Sequence, residues 1–205
     1  MEGPVGRITY KGNGMWQQGN KEPERKTKIG LIAGGSGITP PFSVMDAIYR
    51  AKDMSITTCK MIYSNKTEAD ILIRDQLDAI NADASMPHLT VHHTLTREEG
   101  EVAGANVSKG RVNIEMLRSC NFPEPSEETL IFSCGPAPFC KAIKAFCLEA
   151  GYTESMIFPW TCQFWAMVGQ RYDFLEIFNK ESNLTMNAYK FTIIFIFHSF
   201  HMNTL

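Results

Sequence analysis

The sequence predicts an α/β fold built on a five-stranded, doubly wound parallel sheet. Short apolar runs alternate with helical patterns between residues 28 and 158, and two of these runs lead directly into a glycine-containing turn that opens a helix. Alternating strands and helices favour a parallel sheet, because each right-handed crossover returns the chain across one face. The chain has 205 residues, which is enough for one full domain with additional segments.

Charge and cysteine content argue against several functional classes. The 20 basic and 22 acidic residues give a net charge of −2, so nucleic acid is not an expected partner. The six cysteines form no CxxC pair, and the pair His92-His93 lacks the further ligands that a metal needs, so no metal site is expected. No signal peptide opens the sequence, which favours a cytoplasmic location, with any membrane association made through a partner.

The first predicted strand, residues 28–33, leads into the turn on which the functional prediction depends. This turn consists of Gly34, Gly35, Ser36 and Gly37. Thr39 suits the N-cap and Pro40 the first position of the helix predicted over residues 41–52. Glycine lets a ligand approach the backbone closely, and the helix start offers free N–H groups and a positive dipole end, so the turn predicts an anion site.

The same turn differs from the dinucleotide fingerprint of common dehydrogenases. Residues 35–40 give G-x-G-x-x-P, whereas the fingerprint G-x-G-x-x-G/A has a small third residue, and no acidic residue ends the next predicted strand. A standard dehydrogenase is therefore disfavoured. A tight strand-to-helix turn without a ligand is the alternative interpretation of this stretch.

The remaining elements continue the alternation. Further strands are predicted over residues 56–63, 89–94, 129–133 and 155–158, and further helices over 67–80, 114–118 and 138–150, with a polar loop over 96–110. Thr67 to Asp70 has the pattern of a capping box at the start of the second helix. Asn113 suits the N-cap of the short third helix, and Gly151 suits the end of the last one.

A second strand-to-helix turn follows the fourth predicted strand at Cys134-Gly135-Pro136. The carboxyl ends of parallel strands lie at one edge of a sheet, so this turn and the turn after the first strand are expected to converge there. Ligands of doubly wound folds bind at that edge, near the point where the strand order reverses. Two converging turns therefore strengthen the prediction of a ligand site.

Composition divides the chain into four segments. Residues 1–20 hold five glycines and are too short to fold alone, residues 21–27 form a charged linker, residues 28–160 carry the alternating pattern, and residues 161–205 form a tail. The apolar run 191–197 is too short to cross a bilayer, which takes about 20 residues. Three interpretations of the tail stay open: an alternative or mis-spliced end, a segment packed on an open face, or a segment at a membrane surface.

Five motifs in fixed order carry a resemblance to a known family. They are IAGGSGITP (32–40), YSNKTEADILIR (63–74), TLTR (94–97), GRVNIEMLR (110–118) and CGPAPF (134–139). Together they resemble the NADH-binding lobe of NADH–cytochrome b5 reductases, and the related lobe of assimilatory nitrate reductase is similar. The resemblance covers residues 3–160, so residues 1–20 resemble a remnant of the connection to a flavin domain and residues 28–160 an NADH-binding domain.

The resemblance implies an electron-transfer function. In that family NADH passes a hydride to FAD, which a preceding antiparallel barrel holds, and single electrons then go to a haem protein such as cytochrome b5. The family's FAD-binding motifs do not occur in this sequence, so the resemblance implies an N-terminally truncated chain or one half of a two-piece reductase with a separate flavin domain. Two alternatives stay open: an NADH-binding module without catalysis, and a lobe of a nitrate or ferric reductase.

The resemblance also implies roles for individual residues. The pyrophosphate would contact Gly34, Gly35, Ser36 and Gly37, the adenosine half would contact Asn65, Thr67, Glu68 and Asp70, and Thr39 and Pro40 would lie near the flavin. Cys134 would align the nicotinamide for transfer, Gly135 would leave room for its ring, and Pro136 and Pro138 would shape the turn. Asp70 would repel a 2′-phosphate and so favour NADH over NADPH, although Lys66 stands where the family usually has glutamine.

Overall fold

The computed structural model describes residues 8–100, 102, 104 and 106–161, and a parallel sheet lies at the centre of this region. The strands of the described region are β1 (Thr9–Gly12), β2 (Met15–Gln17), β3 (Glu24–Arg25), β4 (Lys28–Gly34), β5 (Thr58–Asn65), β6 (Leu89–Leu95), β7 (Val107–Lys109), β8 (Thr129–Gly135) and β9 (Ile157–Thr161). The parallel sheet contains β4 to β9. The α-helices of the described region are α1 (Thr39–Arg50), α2 (Arg74–Ala82), α3 (Ile114–Ser119) and α4 (Ala137–Glu149).

Within the described residues, the main sheet has six parallel strands in the order β7-β6-β5-β4-β8-β9. The chain moves outward from β4 to β7 and then adds β8 and β9 on the other side of β4, so the doubly wound class is confirmed. The prediction of five strands was wrong by one. The additional strand, β7, lies inside the predicted polar loop, and its three partly exposed residues at the sheet edge carry no apolar pattern.

The helix predicted from Thr67 to Ile80 is divided in two. The capping box at Thr67 and Asp70 is present, but it closes a single 3₁₀ turn over Glu68–Asp70. The α-helix α2 begins only at Arg74, because Ile73 has a left-handed backbone with φ +52° that interrupts the helix. The capping pattern therefore predicted the position of a helical turn correctly, but the turn is much shorter than the predicted helix.

The first long helix also starts differently from the prediction. Residues Gly35–Ile38 form a 3₁₀ turn that continues directly into α1, and the N-cap residue of α1 is Ile38, which makes no side-chain cap. Thr39 is therefore the first residue of the helix and not its N-cap, and its carbonyl accepts a 2.9 Å hydrogen bond from Ser43 Oγ. The helical segment therefore begins within the glycine turn, and its first N–H groups, which have no partner inside the helix, lie in that turn.

Two other predicted helix-end residues, Asn113 and Gly151, are confirmed. Asn113 Oδ1 accepts a 2.8 Å hydrogen bond from the Met116 amide at the start of α3. Gly151 follows α4 with φ +94°, the left-handed conformation that glycine adopts after a helix. These two signals are local in sequence, which explains why they were predictable.

The segment before β4 forms a small antiparallel sheet in the order β1-β2-β3, and β3 falls within the predicted linker. Trp16 anchors this sheet: it is 3% exposed, its Nε1 donates to the Lys26 carbonyl at 3.1 Å, and its ring lies 5.4 Å from that of Phe132. The Tyr10 hydroxyl also donates to Asp53. Residues 8–25 are therefore held against the domain by specific contacts.

Both faces of the main sheet are buried. One face packs under α1 and α2, with Leu31, Tyr63 and Phe132 among its fully buried residues, and the other packs under α3 and α4 with Ile32 and Ile131. Among the described helices, none has the length and apolar character needed to cross a membrane. Apart from Thr161, which ends β9, the predicted tail lies outside the described residues.

Candidate functional site

The candidate site lies where the carboxyl ends of β4 and β8 meet. These strands are neighbours, and Ala33 of β4 pairs in register with Cys134 of β8. The chain continues from β4 to one side of the sheet and reaches β8 on the other, so this junction is the point at which the strand order reverses. We call residues Gly34–Gly37 the first turn and residues Cys134–Pro136 the second turn. The structure places the two turns side by side.

The first turn has a backbone that only glycine fits at two positions. Gly35 has φ +53°, and a Cβ atom there would meet no atom within 4 Å, so its outer side is open. A Cβ on Gly37 would instead lie 2.5 Å from the Cys134 carbonyl oxygen and 2.7 Å from the Gly135 nitrogen, which are backbone atoms. Gly37 therefore sets the contact between the two turns, while Gly35 and the exposed Ser36 form the outward surface.

The Phe139 ring packs against the buried side of the second turn. A Cβ on Gly135 would lie 2.7 Å from the Phe139 ring and 3.4 Å from the Gly34 Cα, so glycine is required for this packing. Cys134 is 1% exposed. Pro136 and Pro138 are exposed on either side of Ala137, where α4 begins. The start of α4 and the start of the 3₁₀ turn thus lie at the same edge, and both favour negative charge.

The end of β5 adds a buried amide to this edge. Asn65 is 5% exposed, and neither polar atom of its side chain makes a hydrogen bond of normal geometry within the described part of the chain. Its backbone carbonyl accepts a 2.9 Å hydrogen bond from the Thr96 amide, which joins the ends of β5 and β6. A buried amide that leaves hydrogen-bonding capacity unused favours a polar ligand group at this position.

The acidic residues after β5 are held in defined positions. One Asp70 oxygen, Oδ2, accepts hydrogen bonds from the Thr67 amide at 2.9 Å and from Thr67 Oγ1 at 2.8 Å. These bonds hold the pKa of Asp70 below its usual range, so it is a carboxylate at neutral pH. Glu68 pairs with Arg74 at 2.9 Å, and the Glu68 amide donates to Glu98. Asp70, unlike Glu68, makes no ion pair among the described residues.

Tyr63 belongs to this region and was not predicted as a site residue. It is fully buried, and its hydroxyl donates a 3.0 Å hydrogen bond to the carbonyl of Gly35 in the first turn. Burial raises the pKa of Tyr63 to about 12, so the hydroxyl keeps its proton at neutral pH. The available signal was a tyrosine in an otherwise apolar buried strand, because a buried hydroxyl requires a partner.

His93 lies beside Tyr63 on the neighbouring strand. It is 1% exposed, its ring centroid lies 6.0 Å from that of Tyr63, and neither ring nitrogen has a hydrogen-bond partner within the described region. Burial is the main cause that lowers the pKa of His93 to about 4, so the ring is neutral at physiological pH. Over residues 8–100, 102, 104 and 106–161, no group of three or more His, Cys, Asp or Glu residues is arranged to hold a metal.

Two comparisons relate the sequence to known proteins. Residues 31–145 match the family model described as the oxidoreductase NAD-binding domain. The sequence is 35% identical over 141 residues to NADH nitrate reductase 1 of Oryza sativa subsp. japonica, covering 69% of this chain and 15% of the rice protein. It is also 35% identical over 165 residues to NADH-cytochrome b5 reductase 2 of Rattus norvegicus, covering 77% of this chain and 57% of the rat protein.

A comparison of folds agrees with the sequence comparisons. The cytochrome b5 reductase domain of Ulva prolifera nitrate reductase superimposes with a TM-score of 0.67 at 29% identity, covering 78% of this chain and 59% of that one. The chain spans 15% of the rice nitrate reductase and about half of the rat reductase, at 57%. The match therefore concerns the nucleotide-binding part of these longer proteins.

Proposed function

We propose, from the premise that this chain belongs to the oxidoreductase NAD-binding domain family, that it binds NADH as the nucleotide half of a cytochrome b5 reductase-type flavoprotein. The observation that carries the proposal is the contact of the two turns at the switch in strand order. Gly37 lies against the backbone of Cys134 and Gly135, where any side chain would collide. This packing leaves a glycine surface beside two helix starts, which suits a pyrophosphate.

The first turn is proposed to hold the pyrophosphate. Gly35 presents an open backbone, Ser36 adds an exposed hydroxyl, and the first N–H groups of the 3₁₀ turn have no partners inside that turn. Close approach of phosphate oxygens to backbone N–H groups requires the absence of side chains. Gly34 is proposed to support this surface from its buried position, where a Cβ would lie 3.2 Å from the Phe139 ring.

The segment after β5 is proposed to hold the adenosine half. The buried Asn65 amide supplies a donor and an acceptor, and Thr67 and Glu68 follow it at the same edge. The Asp70 carboxylate, fixed by its two bonds to Thr67, would repel a 2′-phosphate and so favour NADH over NADPH. Among the described residues, the buried Asn65 amide and the glycine surface are features that fit a dinucleotide.

The second turn is proposed to orient the nicotinamide. Hydride transfer depends on orientation more than on acid–base groups. Cys134 and Gly135 would therefore align the ring, Pro136 and Pro138 would fix the turn, and Thr39 and Pro40 would lie towards the flavin. NADH supplies the hydride, and FAD on a separate flavin domain accepts it and passes single electrons to a haem protein such as cytochrome b5.

Reconstitution with a flavin domain tests this function. The chain is mixed with a separately expressed, FAD-loaded barrel domain of a cytochrome b5 reductase or, in parallel, of a nitrate reductase, because the identity to relatives of both kinds is 35%. We expect NADH to bind the chain and to bleach the flavin absorbance only in the mixture. Binding without bleaching would support a module without catalysis, and an absence of NADH binding would contradict the proposal.

Cys134→Ala separates transfer from binding in the same mixture. Because Cys134 is proposed to orient the nicotinamide and not to hold the nucleotide, we expect flavin reduction to slow at least tenfold while NADH affinity changes less than threefold, roughly the loss of one oriented contact. Cys147→Ala is the control, since Cys147 is also a buried cysteine but lies on α4 in the core. Reduced affinity with a normal transfer rate would argue against this role.

A further inference from the structure

The Tyr63 hydroxyl connects the interior of β5 to the first turn. It donates a 3.0 Å hydrogen bond to the Gly35 carbonyl across 28 positions in sequence. Gly35 lies in the first turn, and Tyr63 stands two positions before Asn65, where the segment proposed to hold the adenosine half begins. The bond therefore joins the first turn to the strand that leads into that segment.

The hydrogen bond fixes the orientation of one peptide plane. In a trans peptide the C=O and the following N–H point in opposite directions. The buried Tyr63 hydroxyl holds the Gly35 carbonyl inward, so the amide N–H of Ser36 is directed outward, on the exposed side of the turn. This N–H lies in the first positions of the 3₁₀ turn, where a helix offers no internal acceptor.

Gly35 needs this restraint because its conformation is not enforced by packing. Its φ of +53° is accessible to glycine along with many other values, and no atom lies within 4 Å of the position a Cβ would take. Gly37, in contrast, is confined by the backbone of Cys134. The Gly35 carbonyl already takes part in the 3₁₀ turn, and the Tyr63 bond is a second, buried contact that holds the same peptide orientation.

We propose that Tyr63 is a positioning residue for the dinucleotide: its hydroxyl holds the first turn so that the Ser36 N–H meets the pyrophosphate. This inference rests on the proposed NADH-binding function. Tyr63 does not touch the ligand, and it acts by setting the peptide between Gly35 and Ser36. Tyr63 is fully buried, with its ring centroid 6.0 Å from that of His93, so its hydroxyl donates within the core.

The test removes the hydroxyl and separates ligands by their phosphates. Calorimetric titrations of the full chain and its Tyr63→Phe variant use NADH, ADP-ribose and AMP, of which the first two contain the pyrophosphate. We expect the affinities for NADH and ADP-ribose to fall by about fivefold to tenfold, the effect of losing one hydrogen bond, and that for AMP to fall less than twofold. Tyr152→Phe is the control, because it removes another buried tyrosine bond, to the Pro123 carbonyl.

A second variant removes the Ser36 N–H directly. Ser36→Pro removes that N–H while leaving Tyr63 in place, and proline is tolerated within the first turn of a helix, where the N–H has no helical partner. We expect the same selective loss of NADH and ADP-ribose, which keeps the proposal testable if Tyr63→Phe folds poorly by circular dichroism. Unchanged ADP-ribose affinity in a folded Tyr63→Phe variant or in Ser36→Pro, or an equal loss for all three ligands, would overturn it. A wild-type chain that binds no NADH would overturn the proposed function as well.

Discussion

At the scale of single residues, the charge of the site depends on hydrogen bonds that act within the segment after β5. Glu68 and Asp70 are both exposed carboxylates two positions apart, yet Glu68 is paired with Arg74 while Asp70 is bonded to the amide and hydroxyl of Thr67. An acid held by neutral donors keeps its full negative charge, whereas an ion pair offsets it. We therefore propose Asp70 as the residue that sets selectivity against a 2′-phosphate.

Substitution of Asp70 tests this selectivity. Both Asp70→Ala and Asp70→Asn remove the charge, so we expect the preference for NADH over NADPH to narrow by about tenfold in each, which corresponds to about 1.4 kcal/mol. Asp70→Asn retains an acceptor for Thr67, so only Asp70→Ala should also lose about 1 kcal/mol of stability from the capping box. The ratio of the two dissociation constants is measured by titration, and an unchanged ratio would remove Asp70 from this role.

His93 predicts a pH dependence of stability whose sign follows from its environment. Burial depresses its pKa from 6.5 to about 4 in the folded chain, so between these values the unfolded chain binds more protons. The stability that the neutral His93 ring contributes to the folded chain is fully present above pH 6.5 and is lost as the pH falls towards 4. At pH 5 the loss attributable to His93 is about 2 kcal/mol.

Urea unfolding of His93→Phe at pH 7 and pH 5 measures this contribution. Phenylalanine keeps a ring in the core without a titratable nitrogen, so the loss of stability between the two pH values should be about 2 kcal/mol smaller than in the wild type. His92→Phe is the control, because His92 is only partly buried and hydrogen-bonds to Ser108. Identical pH dependence in the wild type and His93→Phe would contradict the predicted role of burial.

Sequence patterns identified most residues of the candidate site but not the contacts among them. The glycines, Asn65 and Asp70 stand in motifs that are contiguous in sequence, so a resemblance could locate them. The bond from Tyr63 to Gly35 joins residues 28 positions apart, and no local pattern encodes it. The same holds for Phe139, whose ring lies under Gly34 and Gly135 only because β4 and β8 are neighbours.

At the scale of elements, the site is made by two turns that touch through backbone atoms. A Cβ on Gly37 would lie 2.5 Å from the Cys134 carbonyl oxygen, a separation that a side-chain rotation cannot relieve. The two turns would then have to move apart. Since each turn is continuous with a strand of the main sheet, their spacing is fixed by the register of β4 against β8.

Gly37→Ala tests the contact between the turns. We expect it to lower the free energy of unfolding by about 2–3 kcal/mol through overpacking, and to weaken NADH binding at least tenfold because the glycine surface is displaced. Gly12→Ala is the control: its φ of +84° makes alanine strained, but no atom lies near its Cβ position and it lies outside the site. Thermal unfolding and NADH titration of both variants give the comparison. A Gly37→Ala variant with wild-type affinity would show that the turn contact does not shape the site.

Element boundaries show where local sequence is insufficient. The helix after β5 was predicted to be continuous, yet Ile73 adopts a left-handed conformation that separates the capping-box turn from α2. β-Branched residues such as Ile73 rarely adopt a left-handed backbone, so the sequence does not predict this conformation and the surrounding structure imposes it. Strand β7 was missed for a different reason, since its pairing with β6 joins three partly exposed residues to an edge without an apolar signature.

At the scale of the whole described molecule, the binding edge and the small sheet occupy opposite ends of the main sheet. Trp16 bonds to Lys26, and Tyr10 to Asp53, residues that precede β4 and β5 at their amino ends. The turns of the candidate site follow the carboxyl ends of β4 and β8. Stability contributed by the small sheet is therefore separated in space from the candidate site. The doubly wound fold class that places the candidate site at the carboxyl edge was predictable from strand and helix alternation alone.

Hydrogen exchange of the full chain with and without saturating NADH tests the central claim most directly. NADH binding at the carboxyl edge should slow amide exchange in three separate segments, residues 34–38, 65–72 and 134–139, and leave the small sheet at residues 8–25 unchanged. Slowing is expected because bound phosphate and adenosine groups occupy or exclude water from these amides. Exchange that is unchanged in all three segments, or slowed only elsewhere, would contradict the assignment of this edge as the NADH site.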